Sequence, residues 1–382
     1  MTEKNAPDSR LAAIFDEAIA ARAFPGGVVW LAHDDTLHAH AAWGTTAYEA
    51  EYSCAATTQT IYDIASVSKL FTMTVALICA REAGIAIETP IKRFLPDWKP
   101  PANSAAHDIT VRQLLHHTSG IEIAIQSFAP RPTIECHAVA ANHHALATSD
   151  WISRIAQSPL HAAPGERVLY SCTNYFLLGR LVEAWSKISL DENIENRLLQ
   201  PLGMNNTSFH PLEKWSLEQI APAEIDEDTG RPWHGVAHDE AARAWMASEG
   251  SACGNSGLFS SASDLARFAR LWLDEGQWNG EQIINGEDVR RALNDTVRAA
   301  TYNQGLGWHQ DVSSWMSLRA PRGTAGHAGF TGPTLFLCPS TRHVAIMLDN
   351  RVYPTRHGPV RMRFHRQVAQ WLFERDGHDQ GE

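Results

Sequence analysis

The chain of 382 residues is 44% apolar, 20% charged and 9% aromatic, a globular balance that excludes a disordered or fibrous protein. A formal net charge of −11 leaves no basic face to neutralise a run of phosphates, which argues against nucleic acid as a partner. No segment reaches the ~18 apolar residues of a membrane span, and Met1 to Arg10 lacks the basic start and apolar run of a secretory signal, so a cytoplasmic location with no membrane partner is predicted.

In chain order, an amphipathic helix is predicted over Leu11 to Ala23, then strands Gly27 to Ala32 and Thr36 to Trp43 joined by the turn His33-Asp34-Asp35. From Ser66 to about Gly276 helical patterns dominate: Val67 to Ala83, Thr110 to His117, Asn174 to Lys187, Leu190 to Leu199, and Ala262 to Glu275 with Ser261 as its N-cap. Strand patterns return at Gly305 to His309, Thr334 to Cys338 and His343 to Leu348, before a closing helix over Pro359 to Phe373. The simplest assembly is an α/β sheet domain from residues 1–65 and 285–382 with a mostly helical domain, 66–284, inserted between and the active site at their interface.

The segment Ile61 to Phe71 sets Ser66 at the mouth of an apolar helix with Lys69 three residues on. Residues i and i+3 share a helix face, so the ammonium lies beside the hydroxyl, and the helix N-terminus favours negative charge there. That is the outline of an activated serine, although a serine N-cap followed by a solvated lysine has the same spacing. Two further segments supply context. Gly165 to Gly179 places Tyr170 and small polar residues before an apolar helix, and Gly326-His327-Ala328-Gly329-Phe330-Thr331-Gly332 is a glycine-rich approach to a strand.

In this order and spacing the three segments resemble the serine β-lactamase and penicillin-binding-protein superfamily, in its class C, DD-peptidase and esterase branch. Thr110 to Ile121 and Gly257 to Phe268 also resemble that branch, and Ile220 to Glu224, His238 to Glu240 and Asn350 to Pro354 resemble a subgroup that includes a muropeptide amidase. The resemblance implies an antiparallel sheet flanked by N- and C-terminal helices with an inserted helical domain. It implies Ser66 as acylated nucleophile, Lys69 as its proton partner and Tyr170 as base, its phenol acidified by the ammonium. The oxyanion hole would be the backbone N–H groups of Ser66 and Phe330, with His327 and Gly329 lining the substrate site.

Two departures bear on substrate. The family's Tyr-x-Asn ends here in Cys172, a weak donor and acceptor where an amide is usual, and Ala328 removes a hydroxyl that would bind a carboxylate. Asn174 is the remaining candidate to replace the amide, although its place two residues on puts it inside the helix predicted over Asn174 to Lys187. The implied activity is acyl-enzyme hydrolysis of a small ester, amide or peptide-like substrate. D-alanyl-D-alanine carboxypeptidase or β-lactamase activity, or a covalent sensor without efficient turnover, are the alternatives.

No cofactor is implied. Six cysteines (Cys54, Cys79, Cys136, Cys172, Cys253, Cys338) lack C-x-x-C pairing, and His137, His143 and His144 form no H-E-x-x-H or comparable ligand set. Reduced thiols and no metal site are expected. The segment Glu122 to Ser149, without clear periodicity, reads as a loop at the active-site rim.

Overall fold

The computed structural model describes residues 8–124, 150–358 and 362–375. The expected rim segment therefore lies almost wholly outside the described residues, as do Cys136, His137, His143, His144 and the first residues of the closing helix.

The first helix, α1 (Ser9–Ala20), starts where Asp8 Oδ1 accepts the N–H of Arg10 and Leu11. Its buried residues Leu11, Ile14, Phe15 and Ala18 keep the spacing of one helical face. An eight-stranded antiparallel sheet follows, made of β1 (Gly26–His33), β2 (Thr36–Gly44), β3 (Val297–Arg298), β4 (Asn303–Gln304), β5 (His309–Gln310), β6 (Ala325–Ala328), β7 (Thr334–Cys338) and β8 (His343–Asp349), in the order β2-β1-β8-β7-β6-β5-β4-β3. The N-terminal and C-terminal parts of the chain meet one strand in from its β2 edge, where β1 pairs with β8 from Gly27↔Asp349 to His33↔His343.

These strands read as unbroken apolar runs because both faces of the sheet are covered. Val28, Val344, Ile346 and Leu348 point into the larger core, shared with the helices, while Val29, Leu31, Ala345 and Met347 pack in a second core with α1 and the closing helix, α5 (Met362–Arg375). Within the larger core, α2 (Ser68–Glu82) is buried on nearly every side and packs against α3 (Cys172–Ser186). A fourth helix, α4 (Ala262–Leu273), enters through Ser261, whose side chain accepts the Asp264 N–H, and lies against β7 and β8. The expected elements recur with ends shifted by a few residues, with one substantive difference at Gly305 to His309. There the chain makes a turn instead of a strand: Gly305 N–H donates to the Trp308 carbonyl at 2.8 Å and Gly307 adopts φ +84°. Glycine takes that conformation without steric cost, and the turn sets His309 opposite Gly326, beside His327. No helix among the described residues is long and apolar enough to cross a membrane.

Candidate active site

Ser66 lies in a short 3₁₀ turn, Ala65–Val67, that leads into α2. The turn is held from behind by Asp63, buried at the end of a two-residue strand: its Oδ1 accepts the Ala65 N–H at 2.8 Å and its Oδ2 the His238 N–H at 2.8 Å. Ala65 has φ +43°, a left-handed conformation costly for a residue with a Cβ and maintained only where the surroundings over-determine it. The strain therefore sits one residue before the candidate nucleophile.

Lys69 follows on the first turn of α2 and is completely buried. Its three N–H bonds find three acceptors: Ser66 Oγ at 2.9 Å, the Asn255 carbonyl at 2.8 Å and Cys172 Sγ at 3.5 Å. Burial alone would pull an ammonium down, but the facing Cys172 and Tyr170 outweigh it and hold Lys69 up. A buried cation satisfied on every proton stays charged.

Tyr170 brings its phenol against Ser66 and Lys69 from the residues preceding α3. Here the structure corrects the expectation of an acidified phenol. Burial pushes Tyr170 up, and although Lys69 opposes that push, the balance remains upward. Its 41% exposed surface belongs to the cleft, so a seated substrate would strengthen the effect by excluding water. Three imidazoles surround the ring, with centroids at 4.5 Å for His117, 5.7 Å for His309 and 6.1 Å for His327. Burial, reinforced by the Lys69 ammonium, holds all three below the ordinary histidine value, His309 at about 4. They are neutral rings at neutral pH.

The strand segment expected to line the site is stitched to the Ser66 turn. Gly329 packs so closely that a Cβ there would lie 2.6 Å from the Ile64 carbonyl, and Thr331 Oγ1 donates to the Asp63 carbonyl at 2.7 Å. Phe330, between these anchors, lies beside the turn. Ser66, Tyr170, Cys172, His327, Ala328, Gly329 and Phe330 line one cleft of about 510 Å³ together with His309, Tyr302 and a charged rim. Asn174 does not join them. It is wholly buried inside α3, where its Oδ1 accepts from Ser119 Oγ at 2.6 Å and its Nδ2 faces His117 Nδ1 at 3.3 Å; two residues past Cys172, the helical twist turns it away from the cleft.

The charged rim unites the three segments that resemble the subgroup. Glu224 accepts from Arg356 Nε at 2.6 Å, from the Arg356 N–H at 2.7 Å and pairs with His238 Nε2 at 3.0 Å, while Glu240 accepts from Arg356 Nη2 at 2.8 Å. Asn350 Nδ2 donates to the Pro222 carbonyl at 2.7 Å, and Arg351 donates to the Phe330 carbonyl with its guanidinium 4.4 Å from the Phe330 ring centroid. Sequence reasoning missed Asp63, His117 and His309 as parts of the site. The breaker run Thr118-Ser119-Gly120 after His117 was the one local signal that the helix ends there. Among the described residues no group of His, Cys, Asp and Glu side chains is placed to hold a metal ion, and the five described cysteines are unpaired.

A family model described as Beta-lactamase matches residues 11–370. A protein named "Putative D-alanyl-D-alanine carboxypeptidase" from Escherichia coli (strain K12) is 29% identical over 364 residues, covering 88% of this chain and 80% of its own length. Among solved structures, the octameric penicillin-binding protein homologue from Pyrococcus abyssi superposes with a TM-score of 0.72 at 21% identity, covering 98% of this chain and 79% of that one. EstCE1, a hydrolase with promiscuous acyltransferase activity, gives a TM-score of 0.73 at 19% identity over 96% of this chain and 98% of that one. At those identities the structures establish the fold, and the family match spans both the serine turn and the His327 strand. The chain therefore belongs to the beta-lactamase family of serine hydrolases.

Proposed function

We propose that the protein hydrolyses small esters or amides through an acyl-enzyme on Ser66. The observation that carries this reading is the contact of Ser66 Oγ with the Lys69 ammonium at 2.9 Å, with the Tyr170 phenol facing both. The reactive form is the Tyr170 phenolate, a minority species at neutral pH because burial holds the phenol up, with the Lys69 ammonium as the opposing charge that favours it. Ser66 Oγ attacks the substrate carbonyl carbon and its proton passes to that phenolate. The tetrahedral oxyanion is held by the N–H groups of Ser66 and Phe330. Collapse breaks the ester or amide bond, and Tyr170 returns the proton to the departing oxygen or nitrogen. Water then attacks the acyl carbon, giving a proton to Tyr170 that passes on to Ser66 as the acid leaves.

Cys172 and Ala328, both lining the cleft, favour esters and simple amides over β-lactams, because neither supplies the amide or hydroxyl that would grip an acylamido group or a carboxylate. The Escherichia coli relative's name favours a second reading, removal of a terminal D-alanine from a peptide, which would use the same nucleophile and base. Fluorophosphonate labelling tests the shared core of both: wild type should be labelled and folded Ser66→Ala should not. Labelling that persists in that variant would overturn the assignment of the nucleophile.

A further inference from the structure

Tyr170 belongs to no helix or strand, yet the chemistry proposed for it needs its oxygen fixed against Ser66 and Lys69. The residues on either side of it, Leu169 and Ser171, are both held by His117. The Leu169 N–H donates to the His117 carbonyl at 2.7 Å, the Ser171 N–H donates to His117 Nδ1 at 3.1 Å, and the imidazole lies over Tyr170 with ring centroids 4.5 Å apart. A backbone N–H can only donate, so Nδ1 carries the lone pair and the ring proton is on Nε2. The Asn174 amide agrees: its Oδ1 is occupied by the Ser119 hydroxyl, which turns Nδ2 toward the same lone pair. His117 itself is completely buried, takes φ +56° just past the helix Val111–Leu115 and is not among the residues lining the cleft.

We propose that His117 is the positioning residue for the catalytic base: it clamps both neighbours of Tyr170 and packs on its ring, fixing the phenol against Ser66 without touching substrate. The inference rests on the reading of Tyr170 as base. It makes two demands on position 117: an acceptor where Nδ1 stands and tolerance of the left-handed conformation. Asparagine meets both, since its Oδ1 occupies nearly the place of Nδ1 and it enters that region more readily than most residues. Alanine meets neither. Glutamine carries its acceptor one bond too far out.

The test is turnover of p-nitrophenyl acetate by His117→Ala, His117→Asn and His117→Gln, each in the wild-type and Tyr170→Phe backgrounds, with thermal unfolding as a control. In the wild-type background His117→Ala should lower kcat by about 10²-fold, the scale of a reacting group displaced by about 1 Å, with KM little changed. His117→Asn should stay within a few-fold of wild type. In the Tyr170→Phe background His117→Ala should cost nothing further, because the group it positions is already gone. An unchanged kcat in His117→Ala, an equal loss in both backgrounds, or a His117→Asn as poor as His117→Ala would each overturn the clamp. Should His117→Ala fail to fold, equal activity of the folded His117→Asn and His117→Gln would do the same, and a clear advantage for asparagine would support it. A fully active Tyr170→Phe would instead remove Tyr170 as base, and the clamp's purpose with it.

Discussion

Two clusters of side chains each contribute residues to the same cleft and settle their polar atoms in different ways. Around Arg356 each charge meets an opposite one: Glu224 and Glu240 take its guanidinium, and Glu224 also pairs with His238. Around Tyr170 the contacts are ring on ring, and the Nε2 atoms of His117, His309 and His327 are buried with no protein partner among the described residues. Satisfied charges of the first kind tie loops together, here the segments around Glu224, His238 and Arg356. Neutral rings of the second kind build a low-dielectric wall in which the Lys69 ammonium acts with little opposition from other cations. The loops are held by the cluster that is already paired, while the reaction is proposed where polar atoms remain unpaired.

Removing the ammonium should break this arrangement most severely. Lys69→Met leaves Ser66 without its donor and Tyr170 without the ammonium that favours its phenolate, and ester turnover should fall by about 10²–10⁴-fold, the range for losing general acid–base catalysis. The same variant should raise the titration midpoint of His309 from about 4, because Lys69 is one of the two causes that depress it, after burial. NMR of ring-labelled histidine reads this directly. An unmoved His309 would mean that burial alone keeps the ring neutral and that the ammonium does not govern the wall.

The same contrast marks what the sequence could disclose. Ser66 and Lys69 are one helical turn apart, so their meeting follows from helix geometry alone, and the alternation of Val28 and Val29 between two cores follows from the strand period. Tyr170 and Cys172 come to Lys69 from 103 residues away or nearly so, which no local period encodes; a family resemblance supplied that pairing. His117 reads as the last residue of an amphipathic helix, and only the left-handed turn shows that it has left that helix to face Tyr170. Asn174 errs the other way, polar and close in sequence to Cys172 but rotated by the helix into the interior.

The charged cluster should show itself in acid rather than in turnover. Burial pushes the Glu224 carboxyl up, but hydrogen bonds from His238 and Arg356 outweigh it and bring it down to about 2 from the ordinary glutamate value of 4.5. A folded-state value below the unfolded one contributes stability that is complete above about pH 4.5 and is lost as pH falls through that value toward about 2. Urea unfolding of wild type and Glu224→Gln at pH 6 and pH 3 should give a smaller loss on acidification in the variant, even though the variant begins less stable for want of the ion pair. Equal losses would mean that other carboxylates set the acid limit and that the rim is held by packing.

The smallest effect expected concerns Cys172, the point where the ring cluster meets the Lys69 ammonium. Its Sγ takes the longest and weakest of the three ammonium hydrogen bonds, at 3.5 Å, and the residue lies half-buried on the cleft. Cys172→Asn would offer Lys69 a carbonyl oxygen in place of sulfur and present an amide N–H₂ to the cleft. If that amide is what β-lactams and acylated peptides lack here, acylation of Ser66 by nitrocefin should rise while short-chain ester turnover changes little. One restored hydrogen bond is worth about 0.5–1.5 kcal/mol, a gain of about two- to tenfold. Ala328→Thr should add to it by supplying a hydroxyl for the carboxylate, and the two gains should couple because one ligand meets both. The competing account gives the choice of substrate to the charged rim: Arg351 and Glu240 line the same cleft and would select a ligand by charge whatever stands at 172. Second-order acylation rates for the single and double variants separate the accounts. No gain in any of them, with ester turnover and unfolding temperature intact, would move the determinant of substrate class from the ring cluster to the charged one.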